Sequence, residues 1–309
     1  TVLRGNERLV QSGFKPRRYE LWSRVFRNVR PGATVTIPAG RAIRVDVRSI
    51  PRLSGLRVDG LLYFPENSNV NLVVRTGYVL VRGFLRVGSL SRGMLGRSAV
   101  TFELLNGRSL IVPTGGLRPL SNQGPAVRNI IFGTRAFAVA GGRVELAGLG
   151  NQCSQQMGTV LERSVSRGAI RIRVNTRTAR CWRPGMEIGI APSTTNFKEA
   201  ERRIIRRIRG QEITLDRTLQ HLHLGKNHRK VVGGKLVELA AEVILLSRSI
   251  KITSDSSNDE QGAHFMIAHT GSQQVVQGVE FRRTGQRGTL GRYPLHAHFC
   301  GDGRYFSFT

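Results

Sequence analysis

From residue 32 onward the chain is dominated by short runs of β-branched and aliphatic residues, each closed by glycine or proline. Runs at 42–47, 55–64, 70–74, 78–81, 84–87 and 99–105 have the length and composition of strands. Leu56-Arg57-Val58-Asp59-Gly60-Leu61-Leu62 is echoed by Val79-Leu80-Val81-Arg82-Gly83-Phe84-Leu85, a loose repeat of roughly twenty residues and the period expected of a stacked β-solenoid. Gly60, Gly83, Gly88, Gly107 and Gly133 fall at the predicted turns, where a residue without Cβ can take positive φ. A second set of runs, at 159–161, 169–174, 187–191, 203–208 and 212–215, follows Gly150. From Leu236 the pattern becomes that of a right-handed parallel β-helix, with strands expected at 242–246, 249–252, 264–268 and 274–281. Residues 115–127 read as a long surface loop, and residues 1–30 as a polar, basic arm.

Composition agrees with an all-β reading. Glycine is abundant, at 36 residues, and aromatics make up only 6%, which suits short strands and tight turns better than a helical bundle. Charge adds something else: 48 Lys and Arg against 20 Asp and Glu give a formal net charge of +28. A balance this basic attracts polyanions such as nucleic acid, acidic polysaccharide or an anionic membrane surface, and carries no information about fold. No run approaches the ~18 apolar residues of a membrane span. The chain does not begin with Met and is expected to be a processed product or a fragment, so a removed targeting segment stays open. Three cysteines leave at least one unpaired: Cys153 can pair with Cys181, which leaves Cys300 odd.

Three stretches carry a resemblance. Thr34-Val35-Thr36-Ile37-Pro38-Ala39-Gly40-Arg41 is followed by Leu56-x-Val58-x-Gly60-x-Leu62-x-Phe64 and then Val79-Leu80-Val81-x-Gly83. Trp182-Arg183-Pro184-Gly185-Met186-Glu187-Ile188-Gly189-Ile190-Ala191 comes later. Last come Gly262-Ala263-His264, Gly285-Gln286 and Arg292-Tyr293-Pro294-Leu295-His296-Ala297-His298. In this order they resemble the eight-glycine (G-eight) domain proteins, a group that includes hyaluronan-depolymerising cell-surface proteins and the fibrocystins. Met186 stands where the family carries an aspartate, which weakens any inherited role for a carboxylate at that turn. The resemblance implies an all-β fold: a G-eight domain over 31–150, a β-rich connecting region over 151–235, and the first coils of a parallel β-helix over 236–309. It also implies an extracellular or cell-surface location, an acidic polysaccharide such as hyaluronan as ligand, and possible calcium dependence. A protein partner or further chain is expected at the open C-terminal end of the stack, because an uncovered strand edge is hazardous in water.

The chemistry concentrates near the C-terminus. Successive side chains of a strand alternate faces, so His296 and His298 point the same way, and Pro294 bars helix just upstream. Hydrolysis of a glycosidic bond normally requires two carboxyl groups. The resemblance implies hydrolysis centred on His264, Glu280, His296, His298 and Asp302, the acids as carboxyl candidates and an imidazole as general acid or base, with Arg248, Arg292 and Tyr293 as candidate substrate contacts. His264 joins the other two imidazoles if the coils stack, neighbouring strands being ~4.8 Å apart. His221, His223 and His228 make a poor metal site, since Lys226, Arg229 and Lys230 flank them. Asp255-Ser256-Ser257-Asn258-Asp259-Glu260 is acidic but lacks the ligand spacing of a standard calcium loop. Two readings compete with polysaccharide hydrolysis: a non-catalytic structural or adhesion module, and a basic component of a nucleoprotein particle.

Overall fold

The computed structural model describes residues 18–113, 128–150, 157–175, 181–257, 260–300, 303 and 306–309. Contacts group the chain into two units, a larger one of residues 1–151 with 248–309 and a smaller one of residues 152–247. No helix among the described residues is long and apolar enough to cross a membrane.

In chain order the larger unit comprises β1 (Glu20–Leu21), β2 (Thr34–Ile37), β3 (Ala42–Arg44), β4 (Gly55–Val58), β5 (Leu61–Phe64), β6 (Asn71–Thr76), β7 (Tyr78–Val81), β8 (Phe84–Gly88), β9 (Ala99–Leu104), β10 (Leu110–Pro113), β11 (Asn129–Gly133), β12 (Ala136–Ala140) and β13 (Arg143–Ala147). After the smaller unit come β22 (Ile250–Ser254), β23 (His264–Ala268), β24 (Gln274–Gln277), β25 (Val279–Phe281), β26 (His296–His298) and β27 (Phe306–Phe308). They form three sheets with parallel neighbours, ordered β1-β3-β5-β8-β13-β24-β27, β2-β4-β7-β12-β23-β26 and β6-β9-β22-β25. From β6 on, the chain visits the third, second and first sheets in rotation. A four-residue helix, α1 (Trp22–Val25), follows β1 and buries Trp22 in the main core.

Alternation within strands explains this arrangement. Leu72, Val74 and Thr76 of β6 and Val100, Phe102 and Leu104 of β9 are buried, while the residues between them are half-exposed or exposed. Inward phenylalanines from all three sheets form a column: Phe64 to Phe102 at 5.7 Å between ring centroids, Phe102 to Phe137 at 5.3 Å, Phe137 to Phe265 at 4.5 Å and Phe265 to Phe281 at 6.3 Å. Such pairs add to the area they bury. Strands after the smaller unit resume the register of those before it: Phe102 faces Ile252 and Ile252 faces Phe281, while Phe137 faces Phe265.

The outer face of the second sheet is covered in part by the antiparallel β10–β11 hairpin. Ala136, Ala138 and Ala140 of β12 face outward, and these small side chains admit Leu110, Val112, Ile130 and Phe132 from above. This explains why β12, flanked on both faces, is buried at every position.

Two turn expectations need correction. Gly88 and Gly133 do have positive φ, at 77° and 81°, but Gly60, Gly83 and Gly107 do not. Gly60 and Gly83 are required for close approach instead: a Cβ on Gly60 would lie 2.2 Å from the Pro38 carbonyl oxygen, and one on Gly83 would lie 2.1 Å from that of Gly60. The expected strand over 274–281 is two strands in different sheets, because the chain turns at Gly278, with φ of 62°.

The smaller unit is antiparallel. Its strands are β14 (Gly158–Val160), β15 (Arg171–Arg173), β16 (Glu187–Ile190), β17 (Glu201–Arg209), β18 (Glu212–Leu215) and β21 (Glu242–Leu245), ordered β14-β21-β16-β17-β18-β15, plus a separate hairpin of β19 (Arg229–Val232) and β20 (Lys235–Glu238). A bridge between Leu161 and Val174 joins the two edges and closes the six strands into a barrel around Trp182, Ile188, Ile205 and Ile213. Residues 242–246 are thus not the first strand of the parallel stack: β21 pairs antiparallel with β14 and β16. An apolar run of four looks the same to either kind of sheet.

A buried polar cluster sits in the barrel. The Glu201 carboxylate accepts from the backbone amides of Gln220 and His221, from Nε2 of His223 at 2.9 Å and from the guanidinium of Arg203. Nδ1 of His223 donates to the Ala191 carbonyl at 2.8 Å. His223, expected as a poor metal ligand, is a structural residue with no exposure.

Two outcomes follow for stability. Gly83→Ala drives a Cβ into backbone and costs about 2–3 kcal/mol, read as a lowered urea midpoint. Burial raises the Glu201 pKa, but its hydrogen bonds and Arg203 outweigh that and hold it below the ordinary 4.5. Its stabilisation is therefore present above pH 4.5 and lost as pH falls through the lower folded value. Glu201→Ala leaves Arg203 buried without its carboxylate, costs about 3–5 kcal/mol, and removes that acid-side slope from the denaturation curve.

Candidate functional site

The second sheet brings the three C-terminal histidines to one face. His264, Met266 and Ala268 of β23 lie on the outer side, since Phe265 and Ile267 between them fill the core. β26 pairs in parallel with β23, His296 opposite Met266 and His298 opposite Ala268, so both imidazoles share that outer face. Their rings lie 5.3 Å apart, and Tyr293 stands 5.2 Å from His296. His296 donates from Nδ1 to the Gly291 carbonyl at 2.7 Å, which leaves Nε2 of the neutral ring as the lone-pair nitrogen able to accept a proton.

Beyond the hairpin the sheet opens into a groove of about 540 Å³, walled by His269, His296 and His298 with Ile131, Leu290 and Tyr293. His269 was not singled out in the sequence; it follows β23 at a corner with φ of 51°, and its ring lies 6.4 Å from that of His298. No sequence signal marks it, because only the turn out of β23 aims it at the groove. Burial lowers the pKa of His269. The His298 pKa is lowered by burial first and then by its neighbours His296 and His269.

His264 is fully buried and neither ring nitrogen has a hydrogen-bond partner. Burial, then the positive charge of Arg292, push its pKa down to about 4, with the backbone of Phe132 and Thr134 pulling weakly the other way. Arg292 is fixed by Gln286, which accepts from it at 2.6 Å and donates to the carbonyls of Thr134 and Gly262. A Cβ on Gly133 would strike the Arg292 guanidinium at 2.3 Å, so the glycine makes room for it.

Glu280 and Arg248 are elsewhere. Glu280 lies on β25 in the third sheet, opposite Lys251, with which it forms an ion pair at 2.9 Å. Burial lowers the Arg248 pKa, and the charge of Glu280 opposes this, which places the two near each other. Asp302 lies outside the described residues, as do the 115–127 loop and Cys153. Among the described residues no carboxylate lines the histidine groove, and no group of three or more His, Cys, Asp or Glu is placed to hold a metal ion. Asp255, from the acidic stretch, accepts from the Asn106 amide and from Arg135. The groove as described offers imidazole proton transfer and an aromatic and apolar lining, with cationic Arg292 near His264. Cys181 is disulfide-bonded and Cys300 is a buried free thiol.

The fold and this site define a class: an all-β protein whose parallel sheets carry a histidine groove near the end of the described chain. Comparison with known proteins is consistent. The G8 domain family matches residues 22–158, and the CEMIP beta-helix family matches residues 260–308, which hold His264, His296 and His298. Residues 22–158 thus resemble a G8 domain and residues 260–308 a CEMIP beta-helix. It is 28% identical over 228 residues, 74% of its length, to fibrocystin from Canis lupus familiaris. It is 26% identical over 305 residues, 89% of its length, to fibrocystin-L from Mus musculus. To cell surface hyaluronidase CEMIP2 from Homo sapiens it is 29% identical over 140 residues, 40% of its length. These matches span 5%, 7% and 10% of the respective relatives, so the chain corresponds to a small part of each.

The His264 pKa sets a pH dependence. A base whose folded pKa, about 4, lies below its ordinary 6.5 leaves the protein fully stable above pH 6.5 and destabilises it as pH falls from 6.5 towards 4. The loss over that window is on the order of 3 kcal/mol. His264→Leu flattens the curve and is more stable than wild type at pH 5, measured by urea denaturation across pH.

Proposed function

We propose that the larger unit is a right-handed parallel β-helix that binds an acidic, hyaluronan-like polysaccharide outside the cell at the histidine groove. The observation that carries this reading is the match of the CEMIP beta-helix family to residues 260–308, the segment that supplies the groove's histidines. One relative of this chain, CEMIP2, is named a cell surface hyaluronidase. The chemistry agrees: His269, His296 and His298 offer imidazole hydrogen-bonding groups in the groove, and Tyr293 a ring against which a sugar can pack. Disulfide-bonded Cys181 suits an oxidising, extracellular setting.

Hydrolysis at this groove would have His296 or His298 as the proton-transfer group, with Asp302 as the carboxyl nearest in sequence. Glu280, held by Lys251 on another sheet, acts in this reading as a surface residue of the β-helix. A second reading has its own support: fibrocystin and fibrocystin-L match over 74% and 89% of the chain, against 40% for the hyaluronidase. On that reading the chain is a non-catalytic adhesion or structural module.

Hyaluronan binding and release of reducing ends, measured on wild type and His296→Ala, test the proposal. Binding that weakens about tenfold in the variant, equivalent to about 1.4 kcal/mol, is the expected result, and new reducing ends from wild type alone extend it to catalysis. Binding without new ends restricts the function to recognition. Absence of hyaluronan binding in wild type overturns the polysaccharide reading in favour of the adhesion module.

A further inference from the structure

The barrel of residues 152–247 carries a cationic face of its own. On β15, Arg171 and Arg173 are exposed and flank the inward Ile172. β18 lies next to it, Arg171 opposite Thr214 and Arg173 opposite Glu212, and β17 follows, Arg207 opposite Thr214 and Arg209 opposite Glu212. Ile172, Ile213 and Ile208 form the intervening row and point into the barrel. Four arginines therefore occupy the corners of a rectangle of about 10 by 7 Å, two strand spacings across and two residues along.

A bulge produces this face. Glu201, Arg203 and Ile205 of β17 point inward, so strict alternation would send Arg207 and Arg209 into the core. The register shift between Ile205 and Arg207 inserts Arg206 as an extra residue, turns Ile208 inward and brings Arg207 and Arg209 out. Five arginines on the larger unit's strands and turns meet carboxylates: Arg57 and Arg82 at Asp59, Arg86 and Arg143 at Glu145, Arg75 at Glu103. On the barrel face, Glu212 is the one carboxylate within the rectangle, 3.7 Å from Arg171. Like charges at neighbouring positions of a sheet are destabilising unless a counter-charge covers them.

We infer that this arginine face is a binding site for a sulfated linear polysaccharide, distinct from the histidine groove. Guanidinium forks pair bidentately with oxyanions, and four of them at this spacing suit a chain more densely charged than one with a single carboxylate per repeat. The face has no aromatic side chain on which a base could stack, which disfavours single-stranded nucleic acid. Cys181, disulfide-bonded in the same unit, points to the oxidising compartments where such polysaccharides occur. The inference rests on the acidic-polysaccharide reading for the ligand's general class alone, and hyaluronan binding at the groove is a separate readout.

The test uses the whole chain with heparin, hyaluronan and single-stranded RNA as probes, across a salt series. Replacing Arg171, Arg173, Arg207 and Arg209 by Ser is expected to weaken heparin binding at least about tenfold and to flatten its dependence on salt. A charge-matched control, Arg24, Arg27, Arg30 and Arg48 to Ser, keeps heparin affinity within about twofold of wild type, since screening confines their effect to long range. Equal losses in both variants show a net-charge effect and overturn the site; so does unchanged binding in the barrel variant. RNA bound as tightly as heparin and lost in parallel overturns the polysaccharide assignment. Should the fourfold variant fail to fold, Arg207→Lys with Arg209→Lys keeps charge but removes the forks, and unaltered heparin affinity then overturns the proposal. Loss of hyaluronan binding with heparin binding intact refutes the groove reading and leaves this one standing.

Discussion

In-register parallel pairing between successive turns of the chain is the constraint on which the larger unit depends. Its strands are two to six residues long, too short to persist alone, and outside the β10–β11 hairpin each finds its hydrogen-bond partners in strands from neighbouring turns. Register then decides what fills the interior. Because Phe102 faces Ile252 and Phe137 faces Phe265, the inward residues of every turn add to one phenylalanine column. A one-residue slip in any strand would expose its apolar set and bury its polar one.

That constraint also explains how 96 residues can enter between β13 and β22 without harm. The barrel closes on itself and has its own core, so β13 and β22 need only keep their places in the first and third sheets, β13 beside β8 and β24 and β22 beside β9 and β25. The entropy of closing a connection grows slowly with its length. The G8 match ends at residue 158 and the beta-helix match begins at 260, so the two family assignments fall on either side of most of this insertion. The strand pairing of β12 with β23 and β13 with β24 nevertheless joins them in continuous sheets.

The histidine groove is a product of the same register. The outer face of the second sheet is covered where alanines of β12 admit the hairpin and open where β26 presents His296 and His298. His264 lies on that face but buried, and burial first, then the charge of Arg292, disfavours its protonation. Electrostatics divides the two units: in the larger one many outward arginines meet carboxylates, whereas the barrel's bulged strand sets Arg207 and Arg209 outward with Glu212 as the nearest acid in the register.

By itself the sequence determined the all-β class, most strands of both units, the family resemblance and the shared orientation of His296 and His298, because these follow from local alternation and from motif order. Tertiary structure alone decided three matters. Residues 242–245 joined an antiparallel barrel, since a short apolar run carries no mark of its partner's direction. Glu280 and His264, sixteen residues apart, went to different sheets, because the corner positions between them choose the face and local alternation does not. Gly60 and Gly83 proved necessary for what passes beside them, a contact between turns that a linear reading of the chain does not contain.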